Sequence, residues 1–226
     1  MSALRLVIFD VDGTLVDSQA DIIAAMTHAF ARAGREAPTR EAILSIVGLS
    51  LDRAIAMLAP DLPPEMQGRM VEWYKEAYVA LRAEIGAAQS SPLYPGARAV
   101  LEALHAQPKT LLGVATGKSR RGLDKLLEGH GLERIFITQQ VSDHHPSKPH
   151  LSMIRTALAE TGLEPHQAVM VGDTSFDMEM AAAAGVAGIG VGWGYHPRAA
   201  LGAARHHIDS FDALPPLLQK IWETVA

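Results

Sequence analysis

Four short apolar segments constrain the fold of this chain more than any other feature. They cover residues 4–9, 111–115, 168–171 and 187–191, and each leads into Gly, Asp or Thr with a helical pattern beyond it. Short apolar runs that alternate with helical patterns are typical of βα units in a parallel sheet. The sequence therefore predicts an α/β fold with a Rossmann-like parallel sheet. Such sheets bind ligands at the carboxyl ends of their strands, where we look first for chemistry.

A helical insertion interrupts the predicted sheet after its first strand. Only helical patterns occur between the first and second apolar segments. Ser18 and Asp21 have the spacing of a capping box, which predicts a helix start at Ser18, and Thr39 predicts another. A longer helix is expected at Pro64–Ile85, followed at residues 86–95 by a linker rich in Ser, Pro and Gly.

These patterns divide the chain into two predicted domains. A length of 226 residues suits one α/β core with a smaller insert. We expect a core domain of residues 1–16 and 91–226, and an inserted small α-helical domain of residues 17–90. A final helix, from Ala213 to about Thr224, is expected to close the fold.

Charge and composition exclude several classes of protein and site. The net charge is −5 with both signs interspersed, which disfavours binding to nucleic acid or to anionic membranes. The absence of cysteine excludes disulfides, thiolate nucleophiles and zinc sites built on cysteine. The N-terminal apolar segment is too short for a signal peptide or a membrane span. We therefore expect a cytoplasmic protein without nucleic-acid or membrane partners, and the oligomeric state stays open.

Two carboxylates follow the first predicted strand. Asp10 and Asp12 lie two residues apart, and Gly13 allows a sharp turn after them. Paired carboxylates suit chemistry in which one stays ionised and the other carries a proton. An Asp-rich turn can also cap a helix or bind calcium. An EF-hand is disfavoured, because the positions of its invariant Gly and Glu hold Leu15 and Asp21.

A hydroxyl and a run of backbone N–H groups follow the second apolar segment. Thr116, Gly117 and Lys118 lie there at a predicted helix start, where anions bind well. A Walker-type phosphate loop is disfavoured, since its first Gly would fall at Leu112. A plain capping role for Thr116 and Ser119 is the alternative.

Further charged residues flank the third apolar segment. Lys148 precedes it in a loop, while Asp173 and Asp177 follow it just before an Ala-rich helix. Alone, the lysine would be read as a solvated surface charge, and the two aspartates as a helix cap and a solvated carboxylate. Their order along the chain, together with the first two motifs, favours a shared site.

Together these residues resemble the motifs of the haloacid dehalogenase superfamily. Its phosphatases carry an Asp-x-Asp-Gly-Thr sequence at the end of the first strand, and Asp10, Asp12, Gly13 and Thr14 reproduce it in order. The segments around Thr116, Lys148 and Asp173 resemble the second, third and fourth motifs of the family. The resemblance covers most of the predicted core domain.

The resemblance implies a role for each of these side chains. Asp10 would be the nucleophile that forms an aspartyl-phosphate, and Asp12 would protonate the leaving oxygen and later deprotonate water. Thr116 and Gly117 would bind the phosphoryl group, and Lys148 would neutralise its charge.

A magnesium ion is the cofactor that the resemblance implies. It would be held by Asp10, by Asp12 through its carbonyl and by Asp173, with Asp177 binding directly or through water. Without such cations, several carboxylates and a phosphate could not share one site, because their charges repel.

The helical insertion resembles a cap of the first class, which closes over the site and contacts the leaving group. By resemblance to phosphoglycolate phosphatases, we expect a small phosphorylated metabolite, with a phosphoglycolate-like compound favoured. Arg53 lies in a cap turn and is expected to contact a substrate carboxylate. Residues 190–195 are expected to form a mobile loop at the rim.

Two other functions stay open at this point. A phosphomutase of the β-phosphoglucomutase type would share the aspartyl intermediate but return the phosphoryl group to a sugar. A regulatory protein could bind a phosphorylated ligand without turnover, although Asp10 and Asp12 argue against it. A dehalogenase is disfavoured, because those relatives lack the acid-base aspartate at the position of Asp12.

Overall fold

A computed structural model describes residues 4–223 of the chain. Within these residues, six β-strands alternate with helices. The strands are β1 Arg5–Phe9, β2 Thr110–Thr116, β3 Thr138–Val141, β4 Ala168–Gly172, β5 Ala187–Val191 and β6 His206–Ile208. The helices are α1 Gln19–Arg32, α2 Arg40–Leu44, α3 Leu51–Leu58, α4 Pro64–Ile85, α5 Ala87–Ser90, α6 Ala97–His105, α7 Arg120–His130, α8 Ser152–Thr161, α9 Ser175–Ala183 and α10 Leu214–Glu223.

Across the described residues, the strands form one parallel sheet in the order β3-β2-β1-β4-β5-β6. β1 lies in the middle, where Phe9 pairs with Val114 of β2 on one side and Val171 of β4 on the other. Helices cover both faces, so the central strands are buried on both sides, as their continuous apolar runs predict. The predicted α/β fold with a Rossmann-like parallel sheet is confirmed.

Two of the strands were not predicted from the sequence. β3 reads Thr-Gln-Gln-Val and β6 reads His-His-Ile, so neither contains an apolar run. Both lie at the outside of the sheet, where a strand pairs on one side only. Their pairing depends on the neighbouring strand rather than on a pattern of their own.

The stretch between β1 and β2 contains helices α1–α5 before α6 returns to the sheet. Ile22 and Met26 of α1 pack with Ile55 of α3 and Met70 of α4 in an apolar cluster distinct from those that flank the sheet. We call residues 17–90 the cap and the rest the core. These domain boundaries stay a prediction.

The predicted capping box at the start of α1 is wrong. Ser18 makes no side-chain cap, and its hydroxyl donates to the Asp12 carboxylate instead. Asp21 accepts a hydrogen bond from the hydroxyl of Ser90, at the other end of the cap. Thr39 does cap α2, as predicted, by accepting from the backbone N–H of Ala42.

Two further predictions concern the linker after α4 and the last helix. The predicted linker at residues 86–95 begins with a short helix, α5, because Gly86 with φ 80° ends α4 and a new turn starts at once. The closing helix is present as Leu214–Glu223, and its predicted end at Thr224 lies outside the described residues. None of the helices between residues 4 and 223 is long and apolar enough to cross a bilayer.

Candidate active site

The predicted site residues meet where the central strands end. Asp10 follows β1, Thr116 ends β2, and Asp173 follows β4. Because β2 and β4 flank β1 in parallel, these ends lie side by side. All three side chains are buried, and Lys148 reaches the same place from the loop that precedes α8.

Asp10 is a buried carboxylate with an unusual environment. It is 1% exposed, and its Oδ1 lies 2.9 Å from the Nζ of Lys148. Among the described residues, neither of its oxygens has a hydrogen bond of good geometry. Burial raises the pKa of Asp10 from 3.8 to about 7; Lys148 opposes this rise and Asp177 adds to it. A buried carboxylate whose close partner is a lysine ammonium is suited to binding a cation or to attack on an electrophile.

Lys148 links two of the carboxylates. Its Nζ lies 2.6 Å from Oδ1 of Asp177 as well as 2.9 Å from Asp10, and its side chain is fully buried. Burial lowers the pKa of Lys148, but the charges of Asp10 and Asp177 outweigh burial and raise it above its usual value. The lysine is therefore charged at neutral pH and offsets part of the negative charge around it.

Asp173 and Asp177 complete a group of acidic side chains. Asp10, Asp173 and Asp177 each place one oxygen within 4.8 Å of the others, all of them buried. Burial raises the pKa of Asp173, and the charges of Asp177 and Asp10 raise it further. Three buried carboxylates that share a single lysine ammonium fit a hard cation such as Mg²⁺.

Short hydrogen bonds hold the two aspartates of the β4 loop in place. Asp173 accepts from Thr14 Oγ1 at 2.8 Å and from the backbone N–H of Tyr195 at 2.9 Å. Asp177 accepts from the backbone N–H and the hydroxyl of Thr174, in a capping box at the start of α9. Each oxygen of both residues is thus oriented by the protein itself.

The loop after β5 contributes contacts that the sequence did not reveal. Besides the N–H that bonds to Asp173, the Tyr195 hydroxyl accepts from the backbone N–H of Ser18 at 2.9 Å. Trp193 Nε1 donates to the carbonyl of Thr14 at 3.1 Å. This loop, predicted only as a mobile rim, joins the first aspartate loop to the start of the cap.

Asp12 has a different environment from Asp10. Its Oδ1 lies 2.7 Å from the Nζ of Lys118 and also accepts from the Ser18 hydroxyl. Burial raises the pKa of Asp12, but Lys118 and Ser18 together outweigh burial and lower it. The pKa values of these two neighbouring carboxylates are thus shifted in opposite directions before a metal ion or a substrate is bound.

Lys118 is a site residue that the sequence analysis did not assign. Besides Asp12, its Nζ donates to the hydroxyl of Tyr78, on α4 of the cap, at 3.2 Å. The sequence feature that could have identified Lys118 is its position two residues after Thr116, in the turn already expected to bind an anion. Which carboxylate it pairs with depends on the tertiary fold, so the turn alone could not reveal it.

A cavity of about 650 Å³ lies between the cap and the strand ends. Asp10, Asp12, Thr116 and Gly117 all line it. A Cβ atom on Gly117 would lie 2.5 Å from the carbonyl oxygen of Leu49, so a loop of the cap approaches the core here as closely as glycine allows. The cavity therefore joins the buried carboxylates to a surface formed by the cap.

Arg53 does not lie in this cavity. Among the described residues, the lining from α3 consists of Leu51, Asp52 and Ala54, while Arg53 points to solvent. The predicted contact between Arg53 and a substrate carboxylate has no support in this arrangement. Basic side chains of α4 and α7, including Arg82 and Arg121, line the cavity instead.

The shifted pKa values predict how stability depends on pH in the presence of a chelator. Asp10 holds a proton up to about pH 7 when folded but loses it near its usual value of 3.8 when unfolded. The folded protein therefore binds more protons in that window, and its free energy of unfolding falls as pH rises through it. The raised pKa of Asp173 acts in the same direction.

Denaturant unfolding at about pH 5 and about pH 8, with chelator, tests this sign. We expect a decrease on the order of a few kcal/mol for the wild type and a smaller one for Asp10→Asn. Glu223→Gln, an exposed site on α10, is the control and should leave the decrease unchanged. If the free energy of unfolding decreased equally in Asp10→Asn and in the wild type, the raised pKa of Asp10 would not be the cause of the decrease.

Comparison with known proteins agrees with this geometry. The family model described as haloacid dehalogenase-like hydrolase matches residues 7–191. A relative from Dickeya dadantii (strain 3937), named probable phosphatase IndB, is 35% identical over 90% of this chain and 87% of its own. A phosphoglycolate phosphatase from Agrobacterium fabrum is 34% identical over 94% of this chain and 91% of its own.

A solved structure is similar over almost the whole chain. It is a haloacid dehalogenase-like hydrolase from Streptococcus pneumoniae, with a TM-score of 0.82, 26% identity, and coverage of 96% of this chain and 99% of the other. The predicted superfamily and the prediction of an enzyme related to phosphatases are both confirmed. The chain therefore belongs to the haloacid dehalogenase-like hydrolase family.

Proposed function

We propose that this protein is a Mg²⁺-dependent phosphatase that hydrolyses a small phosphorylated metabolite through an aspartyl-phosphate on Asp10. The observation that carries the proposal is the state of Asp10: it is buried, without a directed hydrogen bond among the described residues, beside Lys148 and open to the cavity. The named phosphatases among its relatives support the same reaction. We expect it to act in the cytoplasm.

The first half of the reaction uses Asp10 as nucleophile. One carboxylate oxygen of Asp10 attacks phosphorus, and the bond from phosphorus to the ester oxygen breaks. Lys148, 2.9 Å from Asp10, offsets negative charge on the transferred group. Thr116 and Gly117 line the cavity beside it and can donate from a hydroxyl and a backbone N–H.

Asp12 handles the protons in both halves of the reaction. It gives a proton to the leaving oxygen, and later takes one from the water that attacks the aspartyl-phosphate and frees Asp10. Bonded to Lys118 and Ser18 it is ionised, which is the state that the second step needs. To act as the acid in the first step, it must exchange these contacts for a proton and the ester oxygen.

Asp10, Asp173 and Asp177 would hold the metal ion, together with the Asp12 carbonyl. When bound, Mg²⁺ neutralises negative charge on the carboxylates and the phosphate and so allows them to approach. Asp177 already accepts from Lys148 and Thr174, which supports a contact through water as well as a direct one.

Phosphate release from a panel of esters tests this proposal. The panel includes phosphoglycolate, the compound in the name of the Agrobacterium fabrum relative, together with pyrophosphate, sugar phosphates and nucleoside monophosphates. We expect inorganic phosphate to accumulate with Mg²⁺ and turnover to cease with a chelator while the fold stays intact. Turnover that survives thorough chelation would contradict the metal assignment, and an isomeric sugar phosphate as product would indicate a phosphomutase.

Gly13 offers a separate test of how Asp173 is positioned. Gly13 has φ +82°, and a Cβ there would lie 2.2 Å from Oδ2 of Asp173. We expect Gly13→Ala to weaken Mg²⁺ binding at least about tenfold and to lower stability by about 1–3 kcal/mol. Isothermal titration with Mg²⁺ and denaturant unfolding measure the two effects.

Gly34→Ala is the matched control for this substitution. Gly34 has a similar φ of +70°, but no described atom lies within 4 Å of the added Cβ. It should therefore reproduce the backbone strain and leave Mg²⁺ affinity unchanged. Equal Mg²⁺ affinities in Gly13→Ala and Gly34→Ala would show that the clash with Asp173 has no effect on Mg²⁺ binding.

A further inference from the structure

The cavity is much larger than the leaving group of a small ester such as phosphoglycolate. Its volume is about 650 Å³, within the range of about 300–1,000 Å³ typical of sites for drug-sized ligands. At about 30 Å³ per water molecule, this space equals roughly twenty waters. Glycolate, a two-carbon acid, would leave most of it to solvent.

The wall that the cap presents to this space is largely apolar. We call Met26, Val47, Leu49, Val71 and Tyr74 the cap wall; all five line the cavity. They come from α1, from the loop before α3 and from α4. Val71 and Tyr74 are only partly buried, so part of this surface stays in contact with water until a ligand covers it.

The basic side chains that line the cavity mostly have partners already. Lys75 pairs with Glu72 at 2.8 Å, and Lys125 pairs with Glu128 at 2.7 Å. Lys118 pairs with Asp12, as described above. Only the pair of Lys118 with Asp12 is buried, whereas the other two pairs are exposed and contribute little.

Arg82 is engaged in part, since its Nε is buried and has no hydrogen-bond partner among the described residues. Its guanidinium donates to Ser91 Oγ at 3.0 Å and lies 4.7 Å from the ring centre of Tyr78. Tyr78 in turn stacks on Tyr74 of the cap wall, with ring centres 5.7 Å apart. These contacts orient the aromatic part of the wall. Arg121, on α7 of the core, is the other basic residue of the described lining.

We propose that the preferred substrate is a phosphomonoester whose alcohol is ring-sized and largely apolar, and that the cap wall selects it. This inference rests on the proposed phosphatase function. Apolar surface on the alcohol would cover the cap wall, and each added methylene in such a pocket contributes about tenfold or more to kcat/KM. A carboxylate there would lose hydration against the apolar side chains of the cap wall.

A set of phosphate esters whose alcohols have similar acidity tests the inference. Because the leaving groups are then equally reactive, differences in kcat/KM report on binding by the cap wall. We expect kcat/KM for benzyl phosphate to exceed that for methyl phosphate and for phosphoglycolate at least about tenfold. A preference for phosphoglycolate or methyl phosphate over benzyl phosphate would overturn this inference and leave the phosphatase function standing. No hydrolysis of any ester, with Mg²⁺ present, would overturn both.

A pair of variants on α4 tests whether the cavity itself is responsible. Ala83 and Ala80 are both exposed alanines of this helix, but only Ala83 lines the cavity. Ala83→Trp should reduce kcat/KM for benzyl phosphate at least about tenfold more than for methyl phosphate, because the indole fills the space. Ala80→Trp should change neither value. If Ala83→Trp kept the wild-type circular dichroism but lowered kcat/KM equally for both esters, selection by this cavity would be contradicted. An unchanged kcat/KM for both esters would contradict it too.

Discussion

Replacing Asp10 by asparagine is expected to lower kcat by about 10⁴-fold or more while the fold stays intact. The amide has the shape of the carboxylate but neither its charge nor its nucleophilic oxygen, so no aspartyl-phosphate can form. Phosphate release under saturating substrate and Mg²⁺ measures the loss. Mass spectrometry of acid-quenched enzyme should detect an added phosphoryl group in the wild type and none in the variant.

Asp61→Asn is the control for this change. Asp61 is an exposed residue of the cap that pairs with Arg35 at 2.8 Å, so the same substitution there should leave kcat unchanged. Wild-type turnover in Asp10→Asn, with deamidation excluded by mass spectrometry, would show that another group attacks phosphorus. Because Asp10 is buried, we also expect its asparagine variant to be more stable than the wild type at about pH 8 with chelator.

Replacing Lys148 by methionine is expected to have the second largest effect. Methionine fills a similar volume but leaves the buried carboxylates of Asp10 and Asp177 without their shared cation. Breaking a buried ion pair in this way costs about 3–5 kcal/mol of stability. We also expect kcat to fall by about 10²- to 10³-fold, since charge on the transferred phosphoryl group loses its partner.

Stability and activity must both be measured for this variant. Lys220→Met, at an exposed position of α10, is the control and should leave kcat unchanged and alter stability by less than about 1 kcal/mol. At about pH 5 the stability loss should be smaller, because a proton on Asp10 then replaces part of the missing charge. If Lys148→Met kept the wild-type kcat, the lysine would have only a structural role in joining Asp10 to Asp177.

The sequence predicted the convergence of the site well, for a physical reason. In a parallel sheet, residues that follow neighbouring strands must lie together, so Asp10, Thr116 and Asp173 could be grouped once β1, β2 and β4 were recognised. Lys148 could be added only because its segment resembles a family motif, as no strand directs it to the site. The chemical roles of all these residues stay predictions.

What the sequence did not predict depends on contacts between distant segments. Ser18 has the local pattern of a helix cap, yet its side chain makes no cap and its hydroxyl donates to the buried carboxylate of Asp12. Tyr195 bonds to Ser18, and Lys118 to Asp12 and Tyr78, across gaps in the chain that no local pattern spans. The role of Arg53 stays a prediction, although this exposed residue does not line the cavity.

The close approach at Gly117 restricts which foreign caps could be grafted onto this core. Leu49 meets Gly117 through its carbonyl, and the next residue, Ser50, donates its backbone N–H to Ser147 Oγ at 2.9 Å. Both contacts use main-chain atoms of the cap, so they depend on the path of the loop and not on its side chains. A chimaera would therefore have to retain the length and backbone course of this loop, including Gly48 with its φ of +101°.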